Sequence, residues 1–333
     1  MTTSSLSAQL ATIYDPTQAP DVQYLRQDSK LRESILFDPR DAADLDNDEI
    51  FALGLAGFTE LCSLCGRFQQ YEEDFFSQHA KLIRRTDLTR EENGRISQRL
   101  SELLPLLSCF YLQDCGLKAL EWLIRNFHVH LMDMDAFIGG FLLYHETPLF
   151  PKALSILGGM TDHEWDDSNT RNKWLFLRQI RKQKGNLNRS FLVKRCLADF
   201  GFVQFVEKLH SRFLDLSCKY DSIVSNWVSF TTVLIMEYFH AIPSPSIPDN
   251  VLLYFVPLII EALNRTKSYF SSYLMILTQL CCKSQLSKDA IYQLLTILLS
   301  QSLQPKEQIV LACIVLVESQ DCIEGGDEKL GEC

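Results

Sequence analysis

Apolar residues recur along this chain at steps of three and four, the spacing that lines one face of an α-helix. Ile50, Leu53, Gly57, Leu61 and Leu64 form one such series, and Asp46 with Glu49 makes a capping pair in front of it. Thr89 and Glu92 repeat the capping pattern ahead of Ile96, Leu100, Leu103, Leu107 and Phe110. Asp114 can cap a helix that carries Leu117, Leu120, Ile124 and Phe127. Thr147-Pro148 places a proline at the first helical position, and Phe150, Leu154 and Leu157 continue that helix. Leu120, Trp122, Leu123, Ile124 and Phe127 surround their helix with apolar side chains, which predicts a central and buried element. No run of useful length alternates with the period of a strand.

Gly158 to Asn172 breaks the pattern with Gly158-Gly159 and a polar run, and the main internal boundary is expected there. Helical segments then resume near 190–219, 222–241, 249–264, 268–283, 287–303 and 306–318, separated by loops that hold Pro243, Pro245, Pro248 and Pro305. Helix pairs recurring at about 40 residues fall in the HEAT/armadillo range. Pro257, inside an apolar helix, predicts a kink. The expected fold is all-α, an α-solenoid of HEAT/armadillo-like helical pairs. Its expected organisation is a flexible N-terminus over 1–30, an N-terminal helical segment over 31–158, a polar then basic linker over 159–189, HEAT-like helical repeats over 190–319, and a disordered tail over 320–333.

Composition narrows the class. The 333 residues are 47% apolar, enough for a sizeable core, and glycine (14) and proline (11) are too scarce for collagen-like or turn-dense β structure. Eleven cysteines, an odd number at irregular spacing, do not read as a disulfide framework. Met1 to Leu10 has no apolar core of a signal peptide. Val251 to Leu263, the longest apolar run, is too short for a membrane span and contains Pro257 and Glu261. A reducing compartment, cytosol or nucleus, is expected. There the glycosylation sequons at Asn188 and Asn264 have no consequence.

Candidate chemistry is sparse. Cys62 and Cys65 make a CxxC pair, but no second pair follows, and they fall late in a helix, where the dipole does not favour a thiolate; core packing is the favoured reading. His128 and His130, two apart, would point to opposite sides of a helix and cannot share a metal there. Tyr144-His145-Glu146-Thr147 has acid, base and hydroxyls but no nucleophile elbow, phosphate loop or oxyanion hole, and reads as a helix boundary. No catalytic, cofactor or metal site is expected.

The basic stretch from Arg171 to Arg195 differs from its surroundings. Arg171, Lys173, Arg178, Arg181, Lys182, Lys184, Arg189, Lys194 and Arg195 fall there without one acid, while the whole chain is −10, so the remainder sums to −19. Trp174, Phe176 and Phe191 are interleaved. Basic residues neutralise phosphate and aromatics stack on unpaired bases, so Arg171, Lys173, Trp174, Arg178, Arg181, Lys182, Lys184, Arg189, Lys194 and Arg195 are the candidate RNA or partner contacts. A solvated face, or an edge docking on an acidic neighbour, is the blander reading and the favoured one.

Leu120-Glu121-Trp122-Leu123-Ile124-Arg125-Asn126-Phe127-His128-Val129-His130-Leu131 resembles a motif of the N-terminal region of the HEAT repeat-containing protein 1 / U3 small nucleolar RNA-associated protein 10 family. Leu36-Phe37-Asp38-Pro39 with Ala42-Ala43, Phe76-Ser77-Gln78 with Ala80-Lys81, Tyr144-His145-Glu146-Thr147, and Asp199-Phe200-Gly201-Phe202 before Phe205-Val206 fall in the same order. The resemblance covers residues 1 to about 210 well and the rest by helical pattern only. It implies a long α-solenoid without catalytic residues. It also implies a nucleus and nucleolus location, and work in the small-subunit processome with its proteins and the U3 small nucleolar ribonucleoprotein on pre-ribosomal RNA. Support of RNA polymerase I transcription is implied too, with no membrane and no small-molecule substrate. Members are much longer than this chain, so it looks like the N-terminal piece of one or a truncated product, and its polar tail departs from the family pattern. A generic HEAT/armadillo adaptor in trafficking or nuclear transport would share the fold and composition, and would differ in location.

Overall fold

In the computed structural model, the described residues are 34–157, 174–183, 187–216, 221–243, 247–265, 270–300 and 306–320. They form seventeen α-helices joined by loops and 3-10 turns, with no strand among the described residues. The chain divides into two compact units, Met1–Gly185 and Asn186–Cys333.

The first unit holds α1 (Pro39–Asp44), α2 (Asn47–Leu64), α3 (Glu72–Phe75), α4 (Gln78–Leu82), α5 (Arg90–Ser108), α6 (Asp114–Phe127), α7 (Val129–Met132), α8 (Met134–Phe141), α9 (Leu149–Ile156) and α10 (Leu177–Gln183). Two of the expected starts are true capping boxes. Asp46 accepts from the Glu49 amide at 2.7 Å while Glu49 accepts from the Asp46 amide, and Thr89 and Glu92 do the same. Asp114, by contrast, is the first residue of α6 rather than its cap; Gln113 occupies the cap position without a side-chain bond. Pro148 likewise stands one place before the helix that it was expected to open.

α2 and α6 pack against each other to form the centre of this unit. The buried face of α2 is Ile50, Phe51, Gly54, Gly57, Phe58 and Leu61, so Leu53 and Leu64 lie off the face that spacing had assigned them. Glycine decides the face. A Cβ on Gly54 would stand 2.3 Å from the Trp122 Cβ, and one on Gly57 would stand 2.6 Å from the Cys115 carbonyl oxygen. Only hydrogen side chains permit so close an approach of the two backbones. Trp122 is fully buried as expected; its indole N–H donates to the Phe75 carbonyl at 2.7 Å, and Phe51 meets its ring edge-on at 5.0 Å.

The second unit holds α11 (Arg189–Ala198), α12 (Phe200–Leu216), α13 (Asp221–Ala241), α14 (Asp249–Arg265), α15 (Phe270–Cys281), α16 (Lys288–Ser300) and α17 (Lys306–Glu318). Sequential neighbours pack as pairs: α12 with α13, α14 with α15, α16 with α17. The second members of the pairs also pack on one another, α13 on α15 and α15 on α17, and α14 packs on α16. Two rows of helices, each touching the next of its own row, are the helix-pair array of an α-solenoid. The pairs open at residues 200, 249 and 288, near the expected spacing. The expected 190–219 element is two helices, because Asp199 turns the chain: its carboxylate accepts the Gly201 amide at 2.9 Å and the Arg195 guanidinium at 2.6 Å. α14 continues through Pro257.

Candidate partner-contact surface

The basic stretch is divided between the two units. Arg171, Lys173 and Lys184 lie outside the described residues. Trp174, Arg178, Arg181 and Lys182 belong to the first unit, and Arg189, Lys194 and Arg195 to the second.

Trp174 requires a correction. Its ring is fully buried and its indole N–H donates to an Asp135 carboxylate oxygen at 2.6 Å, so in this fold it anchors α10 and offers no face to a base. Trp174 and α10 therefore pack with the first unit, although they fall within the 159–189 stretch expected to be a linker. Arg181 follows the same logic: α10 packs on α9, and the Arg181 guanidinium donates to the Leu157 carbonyl at 3.0 Å, capping the C-terminal end of α9. The expected break at 158–172 lies wholly outside the described residues.

In the second unit, Asn188 caps α11 by accepting from the Ser190 amide at 3.0 Å, so this sequon asparagine has a structural task. Arg189 stands 3.5 Å from Glu237 and Arg195 pairs with Asp199 four residues on. Lys194 is exposed and sits 5.6 Å over the ring of Phe191, itself 53% exposed. Lys182 and Lys194 are thus the exposed cations of the stretch among the described residues. Lys208 and Arg212 add exposed positive charge on α12, one turn apart, and a search for runs of basic residues misses them because Glu207 and Asp215 flank them. This chemistry suits phosphate or carboxylate contacts.

The other constellations resolve into structure. Cys65 is buried at the C-terminal cap of α2, and burial, with Glu72 and Cys65 nearby, pushes the Cys62 thiol up to about 11. A thiol that stays protonated at neutral pH is a poor nucleophile. α6 ends at His128, which takes a left-handed conformation (φ 49°), and His130 is buried in the next helix with its ring 6.3 Å from that of His128. Tyr144 is buried and donates to the Ser108 carbonyl at 2.6 Å, while the Thr147 hydroxyl donates back to the Tyr144 carbonyl. Among the described residues no group of three or more metal-ligating side chains is placed to hold an ion, and no helix is long and apolar enough to cross a membrane.

No protein-family model matches the chain. Curated relatives do. HEAT repeat-containing protein 1 of Homo sapiens is 30% identical over 286 residues, 84% of this chain, and that of Danio rerio is 29% identical over 295 residues. U3 small nucleolar RNA-associated protein 10 of Coccidioides immitis is 32% identical over 231 residues, 69% of this chain. The match spans only 12–13% of the length of these relatives. The chain is a homologue of HEAT repeat-containing protein 1 and of U3 small nucleolar RNA-associated protein 10, and it belongs to their family through the segment that it shares with them.

Proposed function

We propose that this chain is a non-enzymatic helical-repeat scaffold segment of the small-subunit processome, acting in nucleolar pre-ribosomal RNA processing beside the U3 small nucleolar ribonucleoprotein. The observation that carries this reading is the homology over 84% of the chain to a named HEAT repeat protein, together with relatives named for association with U3 RNA. The two-row helix array supports it, because such arrays present extended surfaces to partners rather than closed catalytic clefts. The same reading extends to support of ribosomal RNA transcription by RNA polymerase I.

The experiment is tagging the chain in cells, imaging it, and sequencing the RNA that copurifies. Nucleolar signal with enrichment of U3 RNA is expected. A cytoplasmic or nuclear-rim signal without U3 RNA would overturn the proposal in favour of a trafficking or transport adaptor. Direct contact with pre-ribosomal RNA through Lys182 and Lys194 is a finer part of the proposal. Each phosphate contact contributes about 0.7 to the slope of log affinity against log salt, so Lys182→Glu with Lys194→Glu should flatten that slope by about 1.4. An unchanged slope would assign the contacts to protein.

A further inference from the structure

The outer side of α11, in the second unit, sets an aromatic ring beside a cation. Leu192 and Cys196 face the interior, and Phe191, Lys194 and Leu197 lie in solvent on the other side of the helix. Phe191 keeps 53% of its surface in water, whereas Phe202, Phe213, Phe239, Phe255 and Phe270 of the same unit are buried. The three cations of α11 differ in what they meet. Arg189 stands 3.5 Å from Glu237 and Arg195 pairs with Asp199 at 2.6 Å, so both face carboxylates of the chain. Among the described residues no carboxylate lies within ion-pair distance of the Lys194 ammonium, which sits instead 5.6 Å from the centre of the Phe191 ring.

We propose that Phe191 and Lys194 form a binding site for an unpaired nucleotide of RNA, with the base stacked on the open part of the ring and its phosphate on the ammonium. The site rests on the reading of the chain as a scaffold that touches pre-ribosomal RNA, and it adds the strandedness of that RNA and the residue that recognises it. An aromatic face accepts any base that is not already stacked, and a cation beside it meets the backbone. A duplex offers phosphates to Lys194 but keeps its bases stacked on one another, so Phe191 goes unused. An acidic peptide gains from the ring only where an apolar residue stands beside the acid, whereas every nucleotide carries base and anion together. The chain outside 171–195 sums to −19 and repels a polyanion, so the footprint is short.

The test titrates the full 333-residue chain into a fluorescein-labelled single-stranded RNA and into the same strand annealed to its complement, with anisotropy as the readout. The single strand should bind about tenfold more tightly than the duplex. Phe191→Ala should weaken the single strand about tenfold, leave the duplex unchanged, and leave the slope of log affinity against log salt unchanged, since no phosphate contact is lost. Phe191→Trp should bind at least as tightly as the parent, and Lys194→Gln should flatten the slope by about 0.7. Phe191 is half exposed, so these changes leave the core of the unit intact. Failure of the parent to bind the single strand, equal binding of strand and duplex, or indifference to Phe191→Ala would each overturn the site. A peptide of alternating glutamate and phenylalanine that binds as tightly as the RNA, and loses as much with Phe191→Ala, would overturn it in favour of a protein contact. The scaffold reading is tested separately by imaging and U3 enrichment: a chain that reaches the nucleolus with U3 RNA but fails these titrations keeps that role and loses this site.

Discussion

In the first unit, one guanidinium gathers distant parts of the chain. Arg85 is fully buried and donates to the Phe127 carbonyl, to an Asp133 carboxylate oxygen, to the Ser97 hydroxyl and to the Asn93 side chain. Glu121 does the same from α6: it accepts from the Ser34 hydroxyl and the Ile35 amide at 2.9 and 2.8 Å, and pairs with Arg125. In the second unit the buried polar contacts link neighbours of the array. His210 of α12 meets Thr231 of α13 at 2.7 Å, and Ser272 of α15 lies within hydrogen-bond distance of both His210 and Thr232. The first unit is tied by contacts between segments remote in sequence, and this cluster of the second unit ties helices that are neighbours in the array. In a stacked array each helix pair contacts chiefly its neighbours, so its buried polar groups find partners close by, whereas the first unit must bring distant segments together first.

The comparison can be broken at its strongest point first. Trp122→Ala should cost about 3–5 kcal/mol, since it removes a fully buried indole that α2 and α6 close around. Chemical denaturation of the full chain, followed by probes in each unit, should show the first unit unfolding earlier with the second unmoved. A loss well under 1 kcal/mol would mean that the aromatic centre does not hold the unit.

The next test falls on the seam. Burial depresses His210 from 6.5 to about 4. The unfolded chain binds this proton below about pH 6.5 and the native chain only near 4, so stability falls as pH drops through that window, by about 3 kcal/mol once pH reaches 4. Thermal melts of the second unit between pH 7 and 4 should show the decline, and His210→Asn should flatten it. A decline that survives the substitution would place its origin elsewhere.

Gly54→Ala should cost about 1–3 kcal/mol by overpacking, because its Cβ falls on the Trp122 Cβ, and the same denaturation curves would read it. A neutral result would show that the two helices can slide apart. The smallest effect is Thr89→Ala, which removes the cap of α5 and should cost about 1 kcal/mol, visible as a small shift in midpoint at unchanged slope.

Helix existence and the caps of α2 and α5 were legible because each rests on residues within one turn of one another. The face of α2 was not, because Gly57 alone was counted, and the value of Gly54 depends on Trp122, 68 positions away in the chain. Trp174 misled for a related reason. An aromatic among basic residues reads as a stacking platform, and only the fold brings Asp135 to its N–H. The basic stretch is continuous in sequence, but its residues divide between two units, a division that charge along the chain does not reveal.

Arg85 also carries a kinetic consequence. A buried cation is tolerable only once its acceptors are in place, and here they come from α5, from the end of α6 and from the residue that precedes α8. Before those segments meet, the guanidinium must stay in water, so its pairing is expected to close late in folding. Contacts formed after the transition state slow unfolding more than they speed folding. Arg85 is then less a brick of the first unit than its latch: a substitution there should shorten the lifetime of the native state and leave its rate of formation almost untouched.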